Sequence, residues 1–123
     1  MNLEVIHHVA IIVSDYAKSR HFYVDLLGFE VIREHHREDY KLDLKLGSCE
    51  LEIFGKADAP KRVNNPEACG LRHLAFKVEC IEKTVAELEK LGIECEPIRW
   101  DDFTQKKMTF FKDPDGLPLE LHE

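Results

Sequence analysis

Two histidines and two glutamates stand at matching places in the two halves of this 123-residue chain. His8 opens His8-Val9-Ala10-Ile11, and His73 opens His73-Leu74-Ala75-Phe76, the same His-apolar-Ala-apolar pattern. Glu52 lies in Leu51-Glu52-Ile53, and Glu120 lies in Leu119-Glu120-Leu121. Neutral imidazoles and carboxylates together suit a divalent transition-metal ion. Two carboxylates also neutralise the ion, which lowers the cost of burying it. Waters complete such a coordination shell and give way to a small-molecule substrate. Each residue alone has a plainer reading: a hydrogen-bonded core imidazole, or a solvated carboxylate on an amphipathic strand. Four such residues at symmetric places favour the metal.

The elements that must position them are legible in the alternation of side chains. Val5 to Val13 reads as a strand, with His8 sharing one face with Ile6, Ala10 and Ile12, and His7 on the other face. Ser14-Asp15 is a helix N-cap signal. Tyr16 to Leu27 places Phe22, Tyr23, Leu26 and Leu27 on one helical face, and Gly28 suits the exit. Phe29 to Arg33 is expected as a strand and His35-His36-Arg37-Glu38-Asp39 as a polar turn. Tyr40 to Leu46 and Cys49 to Phe54 make a hairpin across Gly47-Ser48.

Gly55 to Gly70 has no periodicity and reads as a linker. The order then repeats. Leu71 to Val78 is a strand, Ile81 to Leu91 a helix ending at Gly92, and Ile93 to Glu96 a strand. A turn at Trp100-Asp101-Asp102 leads to a strand from Gln105 to Lys112. Asp113-Pro114-Asp115-Gly116 is a strong turn signal before the last strand, Leu117 to His122. Leu27-Gly28-Phe29-Glu30 is answered by Leu91-Gly92-Ile93-Glu94.

The spacing therefore predicts a duplicated β-α-β-β-β unit within one domain. The first module is 1–55, the linker 56–70 and the second module 71–123. One helix per module covers one face of each sheet, over Val9, Leu51, Ile53, Leu74, Phe76, Leu119 and Leu121. His8, Glu52, His73 and Glu120 fall on the uncovered face, where they converge if the halves face each other.

Composition narrows the function. Hydrophobic residues are 44% and charged residues 33%, the balance of a globular domain. The net charge of −7 argues against nucleic acid, whose phosphates need clustered Lys and Arg. No stretch is long and apolar enough for a membrane span. The N-terminus lacks the apolar core of a signal peptide. Cys49, Cys69, Cys80 and Cys95 form no C-x-x-C pair and are expected as reduced thiols of a cytoplasmic protein.

Taken together, the residues resemble those of the vicinal oxygen chelate superfamily. The resemblance rests on His8-Val9-Ala10-Ile11-Ile12-Val13-Ser14-Asp15, Phe22-Tyr23 with Leu27-Gly28-Phe29, Glu52, His73, and Phe111-Lys112-Asp113-Pro114-Asp115-Gly116 with Leu119-Glu120-Leu121. It implies the α+β glyoxalase/bleomycin-resistance/dioxygenase fold. There, two β-α-β-β-β modules pair into a cupped, barrel-like mixed sheet with helices outside. It also implies one divalent ion per site (Ni, Zn, Co, Mn or Fe) held by His8, Glu52, His73 and Glu120.

Two His with two Glu is similar to bacterial glyoxalase I, the lactoylglutathione lyase. Extradiol dioxygenases and fosfomycin-modifying thiol transferases usually supply two His and one Glu, and methylmalonyl-CoA epimerase places Gln where Glu52 stands. Binding proteins of the bleomycin-resistance type lack the ligands. The implied reaction isomerises the hemithioacetal of a 2-oxoaldehyde through a metal-bound enediolate. Glu120 is then the catalytic base, with Glu52 serving the opposite face of the substrate. A homodimer building each site from both chains is expected.

One position departs from that pattern. Bacterial glyoxalase I carries a glutathione-anchoring arginine where this chain has Ile12. Lys77, on the His73 face, and Lys107 are the expected cations in its place, and Phe54 the expected pocket wall. The other readings are an epimerase, thiol transferase or dioxygenase of the superfamily, and a non-catalytic small-molecule binder on the same scaffold.

Overall fold

A computed structural model describes residues 1–36 and 38–123. The chain divides into two compact units, Met1–Lys61 and Arg62–Glu123. Each contains one four-stranded mixed sheet that does not close on itself.

In the first unit the elements are β1 (His8–Val13), α1 (Tyr16–Arg20), a π-helical segment (His21–Leu26), β2 (Val31–His36), β3 (Tyr40–Leu46) and β4 (Cys49–Gly55). The sheet order is β1-β4-β3-β2. The hairpins β2–β3 and β3–β4 are antiparallel, and the first strand runs parallel to the last. Ile11, Val13, Leu42, Leu44, Leu51 and Ile53 are buried with Phe22 and Tyr23 of the helical segment, so one sheet face and the helix share a core. Burying such side chains is worth roughly 1.5–3 kcal/mol each.

The second unit repeats this plan with β5 (Leu74–Lys77), α2 (Ile81–Lys90), β6 (Arg99–Asp101), β7 (Lys106–Lys112) and β8 (Pro118–His122). The order is β5-β8-β7-β6, again with the first and last strands parallel. Its core takes Ile81 and Leu88 from α2 with Phe111, Leu119 and Leu121 from the sheet. The segment 62–72, within the expected linker and the expected first strand, belongs to this unit. Arg62 Nη2 donates to Leu71 O (2.6 Å) and Arg72 O (2.8 Å), and Asn64 Nδ2 donates to Gly116 O (2.8 Å).

Several expectations are corrected. The helix over 16–27 is α-helical only to Arg20, after which Leu27 N bonds back to Phe22 O across a widened turn. The wider turn lets the adjacent Phe22 and Tyr23 both enter the core. The second strand is not Phe29–Arg33 but Val31–His36. Phe29 N is still bonded to Tyr23 O, and pairing continues through His35↔Lys41 and His36↔Tyr40. His35 and His36 are thus strand residues, and Arg37 of the expected turn lies outside the described residues.

Ile93 to Glu96 forms no strand, because Pro97 interrupts a ladder after the single bond Glu96 N to Phe110 O. The strand begins at Arg99 and includes Trp100 and Asp101, which were expected in a turn. The turn follows, held by Asp101 Oδ1 accepting from the N–H groups of Phe103 and Thr104.

Candidate metal centre

Strand register places the four residues identically in the two units. Glu52 sits opposite Ala10, two residues beyond His8, and Glu120 sits opposite Ala75, two residues beyond His73. Parallel pairing and the two-residue repeat then put each His and its Glu on one face of one sheet. His8 is the first residue of β1, and His73 immediately precedes β5.

The structure brings His8 to Glu52 and His73 to Glu120. His8 Nε2 lies 3.6 Å from Glu52 Oε2, and His73 Nε2 lies 3.7 Å from Glu120 Oε1. Both distances exceed a hydrogen bond. They are close to the separation of roughly 3–3.5 Å set by two donors each about 2.1 Å from one ion. Among the described residues, no three His, Cys, Asp or Glu side chains form a single cluster able to hold a metal ion.

The two pairs sit in different surroundings. Glu52 Oε1 is 3.6 Å from Lys41 Nζ, which also approaches Asp43 Oδ1 at 3.3 Å. Asp43 is 1% exposed, directly opposite Glu52, and its Oδ2 accepts from Arg33 Nε at 3.0 Å. Asp43 Oδ1 makes no hydrogen bond, since the Lys41 contact is an ion pair outside hydrogen-bond geometry. Arg33, Lys41 and Asp43 were not among the expected site residues. The alternation of β3, which sets Lys41, Asp43 and Lys45 opposite Leu42 and Leu44, was the signal for two of them.

Glu120 is 8% exposed and opposite Phe110, whose ring meets the His73 ring edge-on at 5.2 Å. Among the described residues no Lys or Arg forms an ion pair with it. A carboxylate taken out of water without a cation is costly. A divalent ion would supply the missing charge, and in each unit the imidazole Nε2, the carboxylate and their spacing suit such an ion. The strand pattern turns His7 away from His8. Its Nδ1 lies 2.9 Å from His8 Nδ1, so the pair fixes which nitrogen of His8 points at Glu52.

The expected substrate contacts divide. Ile12 is 53% exposed on the His8 face, and Phe54 lies beside Glu52 on that face with Lys41 Nζ 5.5 Å from its ring centre. Lys77 is exposed on β5. Lys107, expected to line the site, instead points to the helix-covered face. There its Nζ donates to Glu82 Oε1 of α2 at 2.6 Å, which raises the lysine's pKa and lowers the glutamate's. His122 bonds Thr104 Oγ1 and the Glu123 carbonyl, and faces Asp101 at 3.5 Å. All four cysteines are free. No helix is long and apolar enough to cross a membrane among the described residues.

Comparison with known proteins agrees with this architecture. A family model for the Glyoxalase/Bleomycin resistance protein/Dioxygenase superfamily matches residues 5–121. The chain is 58% identical to the uncharacterized protein YwkD of Bacillus subtilis, covering 100% of this chain and 99% of that one. It is 31% identical to the metallothiol transferase FosB of Staphylococcus saprophyticus, over 98% of this chain and 77% of the relative. A solved structure of a glyoxalase family protein from Enterococcus faecalis is 64% identical, superposes with a TM-score of 0.94 and covers both chains in full. The chain therefore belongs to the Glyoxalase/Bleomycin resistance protein/Dioxygenase superfamily.

Proposed function

We propose that His8, Glu52, His73 and Glu120 together hold one divalent transition-metal ion. On this reading the protein is a metal-dependent lyase-isomerase of glyoxalase I type, acting on the hemithioacetal of a 2-oxoaldehyde. The observation that carries this reading is the repeated pair: the same register offset and nearly the same His–Glu separation in both units. An ion held there would supply Lewis acidity to the substrate.

The side chains have distinct tasks. His8 and His73 present Nε2, and His7 orients the first of them. Glu52 is tethered by Lys41, whereas Glu120 has no lysine or arginine tether among the described residues. Glu120 therefore carries the proton from C1 to C2 of the substrate, accepting it on a carboxylate oxygen and returning it to the neighbouring carbon. Phe110 and Phe54 keep water from the two carboxylates. The four cysteines leave the protein suited to a reducing, cytoplasmic setting.

A thiol transferase is the second reading, favoured by the likeness to FosB. The second carboxylate, Glu52, speaks for the isomerase. Metal analysis of the purified protein, with an absorbance assay on methylglyoxal and a panel of thiols and a parallel assay of thiol consumption by an epoxide, tests both. One ion per site with thiol-dependent isomerisation supports the first reading. Metal with thiol addition to an epoxide moves the assignment to the second. A protein that takes no metal on reconstitution refutes both.

A further inference from the structure

A cavity of about 220 Å³ opens beside His73 in the second unit. Four cations line it (Arg62, Arg72, Arg99 and Lys112) against two carboxylates, Glu67 and Glu96. That is a formal excess of two positive charges in a chain whose net charge is −7. Two of the cations are spent on structure. Arg62 donates to Asn64 Oδ1 and to the carbonyls of Leu71 and Arg72, and Arg72 grips Glu67 through Nε and Nη2.

The other two are available. Arg99 Nη1 meets Glu96 Oε1 at 3.3 Å, which leaves Nε and Nη2 unused. Lys112 has no ion pair among the described residues. These two flank the ring of Phe110. Arg99 is opposite Met108, two residues before Phe110 on β7, and Lys112 lies two residues after it. The Arg99 guanidinium carbon is 5.4 Å from the Phe110 ring centre, and that ring abuts His73.

We propose that this cavity is an oxyanion subsite. It holds a carboxylate, phosphate or phosphonate group of the substrate between Arg99 and Lys112, one aromatic ring away from His73. The catalytic meaning of the subsite rests on His73 being a ligand of the reacting centre, but its anion binding does not. Arg99 offers a planar fork of donors and Lys112 a mobile point charge, a combination suited to an oxyanion.

The test uses metal-free protein at fixed pH, with inorganic phosphate and acetate as separate probes and the His73 ring resonances as the reporter. Saturable shifts are expected with at least one probe. Preference for phosphate marks a tetrahedral anion, and preference for acetate marks a carboxylate. Arg99→Gln is expected to weaken binding about tenfold and Lys112→Gln several-fold, as for loss of a charge-assisted hydrogen bond. Arg99→Lys is expected to retain part of the affinity, and Lys83→Gln, on the exposed face of α2, all of it. Absence of saturable shifts, or equal affinity in all variants, overturns the subsite. A parallel metal titration separates the two ideas: anion binding without metal uptake supports the subsite and removes the metal reading.

Discussion

At the scale of residues, the proposed chemistry is concentrated in two His–Glu pairs that the sequence repeat exposes. If Glu120 moves the proton and Glu52 only holds, Glu120→Gln should abolish turnover while retaining a weakened metal. His8→Ala should lose metal by tenfold or more. Turnover surviving in Glu120→Gln would transfer the base to Glu52.

A second cluster has a structural part. Glu34 accepts from Arg20 Nε at 2.8 Å and Nη2 at 3.1 Å, from Tyr16 Oη at 2.7 Å, and meets His36 Nε2 at 2.6 Å. Led by Arg20, these bonds hold its carboxyl at about 2, below the ordinary 4.5, while burial and Glu34 push the Tyr16 phenol up. A lowered folded-state value stabilises the fold above the unfolded value. That contribution is lost as pH falls from about 4.5 through 2. Glu34→Gln should therefore cost about 2 kcal/mol at neutral pH and flatten the acid limb of stability. Urea unfolding across that range checks it, and parallel curves for the two proteins would refute it. None of this cluster was visible as a unit in the sequence, because Tyr16, Arg20, Glu34 and His36 meet only after β2 is displaced from its expected position.

At the scale of elements, the two helices exit through Gly28 and Gly92, both at φ 79°. A side chain there is strained even though space is open, so Gly92→Ala should cost about 1 kcal/mol in thermal unfolding without touching metal affinity. A change in metal affinity would show that this turn positions the site. These turns, the alternation of β3 and β4, and the Asp113-Pro114-Asp115-Gly116 turn were all legible, since each depends on local chemistry. Asp113 shows why: its Oδ1 accepts from the N–H groups of Asp115 and Leu117. What failed was edge placement. Val31–His36 and Arg99–Asp101 are outer strands, set by where a neighbour is available rather than by their own pattern. Arg99, which lines the cavity beside His73, was missed for that reason, while Lys107 meets Glu82 of α2 because strand parity in β7 sets it on the helix-covered face.

At the scale of the whole molecule, the His–Glu pairs come one to a unit, and the proposed ligand set takes one pair from each. A homodimer in which each site draws one pair from either chain makes a sharp prediction. His8→Ala and His73→Ala are each inactive alone, but mixed and reassembled they regain up to half the activity per mixed dimer, since one of its two sites is intact. No recovery, with subunit exchange demonstrated, would place both pairs of a site in one chain. Sedimentation of the unmodified protein gives the oligomeric state directly.

The parallel register of first strand against last has a consequence for how the protein is made. His8 leaves the ribosome almost a full module before Glu52, and His73 almost a full module before Glu120. Antiparallel hairpins can zip locally, but these two contacts close the longest loop in each unit and come late in assembly. On the proposed metal reading, a nascent or truncated module thus presents each donor apart from its partner, and only a finished one presents the pair.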